Sequence, residues 1–353
     1  MIEKRIARPA FALGLASLLV LAACSSGSTT SPDAGVTNSV FVSGSSTVEP
    51  ISLANAEKFA AVQPNVDISV EGPGTSDGFA LFCAGESDVS DASRAIKQAE
   101  IDTCAENGIE FIELYVAIDG LSVVTSAHNE AIDCLSFTDL WALLGPEAAG
   151  NGNSWSDADS LAEETADATG GEFGDTHTPY PDAPISITAP GEESGTFDSF
   201  IEIVLEPIGG ALELEDVTTT PNYQASGDDN VIIQGLTGTE ENPDTLGWVG
   251  YAYYAENADV VKALEVDGGD GCVAPTTDTI ASGEYPIARP LFVYVNAERA
   301  DENGTIAAFI DFYLSDEGRA SVSEVGYVEI PDEDWQATVE TWESRTTGTK
   351  VGG

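Results

Sequence analysis

Apolar positions along the chain fall into short runs, separated by clusters of Gly, Ser, Thr, Asn and Asp, and the runs switch between two periods. Val40-Phe41-Val42 is a β-type run that ends in Ser43-Gly44-Ser45-Ser46-Thr47. A helix is predicted from near Pro50, with Ile51, Ala54, Phe59 and Val62 on one face. Val66, Ile68 and Val70 alternate as in a strand, and Gly72-Pro73-Gly74-Thr75-Ser76-Asp77 leads from it into a helix through Phe79, Leu81 and Phe82. After the loop Asp88–Arg94 come the apolar positions Leu114, Val116 and Ile118, then Leu121-Ser122-Val123-Val124. Residues 150–182 are polar and rich in Gly, Asn, Asp and Pro, and read as a long surface excursion. Ile185 and Ile187 mark a strand that runs into Pro190-Gly191-Glu192-Glu193-Ser194-Gly195-Thr196. Behind it Phe197, Phe200, Ile201, Val204 and Leu205 fall at helical spacing. Leu291–Val295 is a late buried strand and Ile306–Leu314 a late helix. Such alternation predicts α/β lobes with mostly parallel sheets.

The first residues depart from this pattern. Lys4, Arg5 and Arg8 precede an apolar stretch from Pro9 to Val20, and Leu21-Ala22-Ala23-Cys24 follows at once. A positive start, a short apolar core and small residues describe a secretory signal over 1–23, and the stretch is short for a membrane span. The Cys at the cleavage point resembles the lipobox of bacterial lipoproteins, which implies a lipid on Cys24. Ser, Gly and Thr then dominate a tether over 24–39. The expected location is extracytoplasmic, anchored to the cell membrane.

Charge narrows the choice of partners. The chain of 353 residues has 12 Lys+Arg against 61 Asp+Glu, a formal net charge of −49, with 42% hydrophobic residues. That apolar content suits packed cores rather than an acidic disordered tail. The excess argues against nucleic acid, whose phosphates require basic patches, and against electrostatic docking on an anionic membrane. Four cysteines remain beyond Cys24, and an even number in an exported chain favours two disulfides. The expected pairing joins Cys83 to Cys104, close in sequence, and Cys134 to Cys272. Without a CxxC pair, and with only two His, zinc is not expected.

Three strands end in a Gly/Ser/Thr cluster that opens a helix: Gly44-Ser45-Ser46-Thr47, Gly74-Thr75-Ser76 and Ser194-Gly195-Thr196. Helix starts leave backbone N–H groups unpaired and favour negative charge, so three such turns together suit a small tetrahedral oxyanion. Arg94, following Asp91-Ala92-Ser93, is the one basic residue of the mature chain in a loop of small polar residues, where its fork suits an oxyanion. Enzymatic readings lack support. His128 and His177 lie in loop-like segments, Asp267-Gly-Gly-Asp-Gly271 reads as a turn, and there is no HExxH or Walker A pattern.

An ordered set of motifs resembles the PstS-type phosphate-binding proteins of ABC transporters. These are Ser43-Gly-Ser-Ser-Thr-Val-Glu-Pro50, Phe82-Cys-Ala-Gly-Glu-Ser-Asp-Val-Ser-Asp-Ala-Ser-Arg94, Pro190-Gly-Glu-Glu-Ser-Gly-Thr-Phe-Asp198, Ser226-Gly-Asp-Asp-Asn-Val-Ile-Ile-Gln-Gly235, Leu246-Gly-Trp-Val-Gly-Tyr-Ala-Tyr-Tyr254 and Arg289-Pro-Leu-Phe-Val-Tyr-Val295. The resemblance spans nearly all of residues 40–330. It implies a two-lobed type II periplasmic-binding-protein fold with the ligand cleft between lobes of 40–120 with 286–350 and of 121–285. It also implies binding of inorganic phosphate by hinge closure, delivery to the permease subunits of an ABC transporter, no cofactor and no catalysis. By position, phosphate would meet Ser45, Ser46, Thr47, Thr75, Ser76, Ser93, Arg94, Ser194, Gly195 and Thr196. The sequence departs from the family pattern at Ser93, where members carry Asp, and at Pro190, where they carry Arg; Arg94 is expected to supply the positive charge. The phosphate proton needs an acceptor, for which Asp91, Glu192, Glu193 and Asp228 are candidates. The alternatives are a receptor for sulfate or molybdate and a secreted phosphate-ester hydrolase.

Overall fold

Strands give way to helices where the turn clusters stand. The computed structural model of the chain describes residues 38–150 and 154–350; the expected signal segment, Cys24 and the tether up to residue 37 lie outside the described residues. β1 (Ser39–Gly44) leads into α1 (Glu49–Val62), β2 (Asp67–Glu71) into α2 (Thr75–Cys83), and β3 (Val89–Ala92) into α3 (Gln98–Glu106). β4 (Phe111–Ser126), β5 (Cys134–Ser136), α4 (Phe137–Leu144) and α5 (Asp159–Thr169) follow. β6 (Ser186–Pro190) opens into α6 (Gly195–Phe200), a π turn over Ile201–Leu205 and α7 (Glu206–Ala211). β7 (Gln224–Ser226), α8 (Asp229–Thr237), β8 (Thr245–Gly250), β9 (Val261–Ala263), β10 (Glu265–Asp267), β11 (Cys272–Val273) and β12 (Ala288–Asn296) complete the sheets.

The main sheet runs β2-β1-β3-β12-β4-β8-β6-β7, with β9 added on β4; β11-β10-β5 form a small second sheet. β4 joins two halves. Its Phe111–Gly120 segment pairs antiparallel with β12, and from Leu121 onward it pairs with β8 and then β9. Covered on both faces, it reads as one nearly continuous apolar run, which is why the sequence shows it as two adjacent apolar stretches. The expectation of mostly parallel sheets is corrected here. β1 is parallel to β2 and β3, and β6 to β7 and β8, but β12 is antiparallel to both its neighbours and β4 to all of its own. The described residues cluster as one compact unit.

Two further readings change. α1 buries Ile51, Ser52, Asn55, Ala56 and Phe59, whereas Val62 is 58% exposed, so its inner face is half polar and rotated from the apolar stripe. The segment 154–182 is not a bare surface excursion: Trp155, Ala158, Ala162 and Tyr180 are buried. There the polar majority faces out while one Trp anchors the segment in the core. In the same core Phe200 stacks on Trp248, ring centroids 4.2 Å apart. Disulfides join Cys83 to Cys104 and Cys134 to Cys272.

Candidate functional site

Each of the three turns is built by residues that leave room for the backbone. Gly44 ends β1 where a Cβ would stand 2.0 Å from the carbonyl oxygen of Asp91, and Gly78 of α2 sits where a Cβ would lie 2.4 Å from Gly44 Cα. These two glycines let α2 pack against the first turn. Ser45 N–H donates to the Asp91 carbonyl (2.9 Å), and the Ser45 hydroxyl accepts from Thr47 N–H (3.2 Å), which fixes the start of α1. In the second turn Thr75 and Ser93 hydroxyls meet at 3.0 Å, and Ser93 N–H donates to Thr75 Oγ1 at 3.2 Å. In the third, Ser194 Oγ accepts from Thr196 N–H. All three lie at the carboxyl ends of parallel strands, where open α/β sheets bind ligands.

The turns converge on one cavity of about 360 Å³, lined by Ser45, Ser46, Thr47, Gly74, Thr75, Ser93, Ser194 and Gly195. The first and third turns touch, since a Cβ on Gly195 would lie 3.3 Å from the Ser46 carbonyl oxygen. Glu49, Glu192, Glu193, Asp198 and Glu202 also line it. Ser46 O–H donates to Asp198 (3.0 Å). Burial raises the Asp198 carboxyl above the ordinary range, and Glu49 likewise. The cavity therefore combines helix-start donors and hydroxyls with carboxyl oxygens, a set that can meet both the oxygens and the proton of a protonated oxyanion.

Several expected residues stand elsewhere. Arg94 does not line this cavity; it lines a neighbouring one of about 630 Å³ that shares Thr75 and Ser93. Its guanidinium forks onto Glu100 (2.8 and 2.9 Å), reaches Ser76 at 3.0 Å and lies over the Phe79 ring. In a chain so rich in acid, the fork found a carboxylate six residues on. Ser76 goes with it. Thr196 faces a third cavity beside Asp119 and Tyr327. Asp228 is exposed and caps α8 through Asn230 N–H. The Asp91 carboxyl is buried beneath the first turn, and only its carbonyl serves that turn.

A second cation, Arg289 near the start of β12, reaches the first turn; like Arg94 it lines the cavity of about 630 Å³ and not the smaller one. Its Nη2 donates to Thr47 Oγ1 (3.0 Å) and Ser199 Oγ (2.6 Å), Nη1 meets Glu202, and Nε lies 3.5 Å from the buried Asp119. Ser199 O–H in turn donates to Asp119 at 2.6 Å. Burial raises the Asp119 carboxyl, and the Arg289 charge opposes that rise. Sequence spacing does not reveal the contacts of Arg289, because β12 pairs with β4 only in three dimensions. The signal was present: it is the one charge at the head of the late apolar strand.

The chain matches the PBP superfamily domain over residues 29–317. It is 34% identical over 337 residues to the protein SphX of Synechocystis, covering 95% of this chain and 89% of that one. To the phosphate-binding protein PstS of Staphylococcus aureus it is 30% identical over 327 residues, 92% of this chain and 89% of the other. The crystal structure of a possible phosphate binding protein from Planctomyces limnophilus superposes with a TM-score of 0.75 at 33% identity, covering 88% of this chain and 99% of that chain.

Proposed function

Because the chain belongs to the PBP superfamily, and within it to the family of SphX and PstS, we propose that it is an extracytoplasmic receptor for inorganic phosphate that hands its ligand to the permease of an ABC transporter. The convergence of three strand–helix turns on one cavity carries this reading. Ser45, Ser46, Thr47, Thr75, Ser93, Ser194 and Gly195 supply hydroxyl and backbone donors from both halves of the sheet. Arg289 steadies Thr47 and lends positive potential. The lobes are 40–120 with 286–350 and 121–285, a reading supported by the change of partner along β4 at Gly120/Leu121 and the return through β12. Closure between these lobes traps the anion without chemistry. A lipid on Cys24 holds the receptor at the membrane.

Selectivity follows from the carboxyls. Phosphate at neutral pH retains a proton to donate, whereas sulfate does not, and an unmatched oxygen facing a carboxylate is repelled. Asp198, Glu192 and Glu193 are the acceptors in reach of the cavity. Calorimetry with phosphate, arsenate and sulfate tests the reading on the mature chain. Phosphate and arsenate are expected to bind and sulfate to fail at equal concentration. Heat with sulfate but none with phosphate would refute it.

A further inference from the structure

The two disulfides stand in different surroundings. Cys83 and Cys104 are buried in an apolar cluster with Phe79, Phe82 and Phe111. Cys272 is exposed and Cys134 half-buried, and they link β11 to β5, the two outer strands of the small sheet. Beside this second bridge stands a positioned imidazole. His177 Nε2 lies 3.7 Å from Cys272 Sγ, while Nδ1 lies 2.6 Å from Asp139 Oδ2.

Asp139 is fully buried near the start of α4 and also accepts from Ser136 N–H (2.8 Å), His177 N–H (3.1 Å) and the Tyr180 hydroxyl. The carboxylate thus fixes the ring so that its second nitrogen faces sulfur.

We propose that the Cys134–Cys272 bridge is a thiol-exchange site, opened by dithiol reductants with His177 receiving the departing Cys272 sulfur. A thiolate of the reductant attacks Cys134 Sγ, the S–S bond breaks, and its electron pair leaves on Cys272, which becomes a thiolate against the imidazolium. The reductant's second thiol, as thiolate, then displaces Cys134. The reductant departs as a disulfide, oxidised by two electrons, and its two protons balance the two cysteines of the protein. A leaving thiolate paired with a cation leaves faster. The groups facing His177 are all acidic, namely Asp139 of α4, Asp267 of β10 and Asp175 of its own loop, and with the Asp139 hydrogen bond foremost they raise its pKa above the ordinary value, against the opposing effect of burial. The imidazolium therefore persists toward neutral pH.

The test uses the mature chain treated with dithiothreitol, quenched by alkylation and mapped by mass spectrometry. Cys134 and Cys272 are expected to open at least about tenfold faster than Cys83 and Cys104. His177→Gln is expected to slow opening of the exposed bridge by about tenfold while leaving the buried bridge unchanged, which separates the imidazole from mere exposure. Circular dichroism and phosphate calorimetry report on the fold of the variant. A second measurement needs no variant: in the reduced wild-type protein at pH 6, Cys272 should alkylate well ahead of Cys134. Opening rates within twofold of wild type in His177→Gln, or equal alkylation of the two thiols at pH 6, would overturn the proposal.

Discussion

Replacing Asp91 by Asn should stabilise the protein in a strongly pH-dependent way. Asp91 lies within β3 with its carboxyl wholly buried, and neither oxygen makes a full hydrogen bond. Burial pushes the carboxyl from 3.8 up to about 7, with Glu49 adding to the rise and the Ser52 hydroxyl tempering it. Because the native group titrates above the unfolded one, its cost is absent below pH 3.8, grows as pH rises and is complete above pH 7. At about 1.4 kcal/mol per unit, the full cost is about 4 kcal/mol, and that part acquired between pH 5 and 8 is about 3 kcal/mol. An Asn amide pays its own burial cost of roughly 1–3 kcal/mol, but this does not vary with pH. Urea unfolding of both proteins at pH 5, 6, 7 and 8 isolates the difference, since the remaining carboxyls titrate alike in the two. The stability gap should move in favour of Asp91→Asn by about 3 kcal/mol across that range. Parallel stability–pH curves would refute the reasoning.

Three further outcomes follow from the site. Arg289→Ala should weaken phosphate binding by about tenfold to a hundredfold in calorimetry, as the loss of hydrogen bonds to a charged donor implies, and should also destabilise the fold by roughly 3–5 kcal/mol because Asp119 is left buried without its cation; Arg94→Ala should change affinity by far less. Gly78→Ala forces a methyl to within 2.4 Å of Gly44 Cα, so urea unfolding should register a loss of roughly 1–3 kcal/mol and calorimetry a weaker anion site. Stopped-flow capture of phosphate should accelerate with added salt, since the surplus of acidic residues repels the anion and salt screens it beyond about 10 Å.

The three strand–helix turns were legible in the sequence because their chemistry is local. Gly, Ser and Thr at the junction of a strand and a helix state their backbone geometry within five residues, and the structure brings Ser45–Thr47, Thr75 and Ser194–Gly195 to one cavity. The pairing of the four cysteines was legible too. The partners of the two cations beside the turns were not. Arg94 looked isolated along the chain, yet Glu100 lies one helical turn beyond the loop and takes its fork. Arg289 stands 242 residues from Thr47 and meets it only because β12 returns antiparallel beside β3 and β4. The same holds for Asp198 and Ser46, 152 residues apart, and for His177 and Asp139, which looked like a loop histidine and one acid among many. Local backbone conformation and hydrophobic period are written in neighbouring residues, so the sequence alone determined the three turns and many of the strands and helices around them. Which charges are buried, and which of sixty-one carboxyls faces a given cation, depends on contacts across the sheet. Burial multiplies the strength of those contacts, and burial is a property of the folded chain.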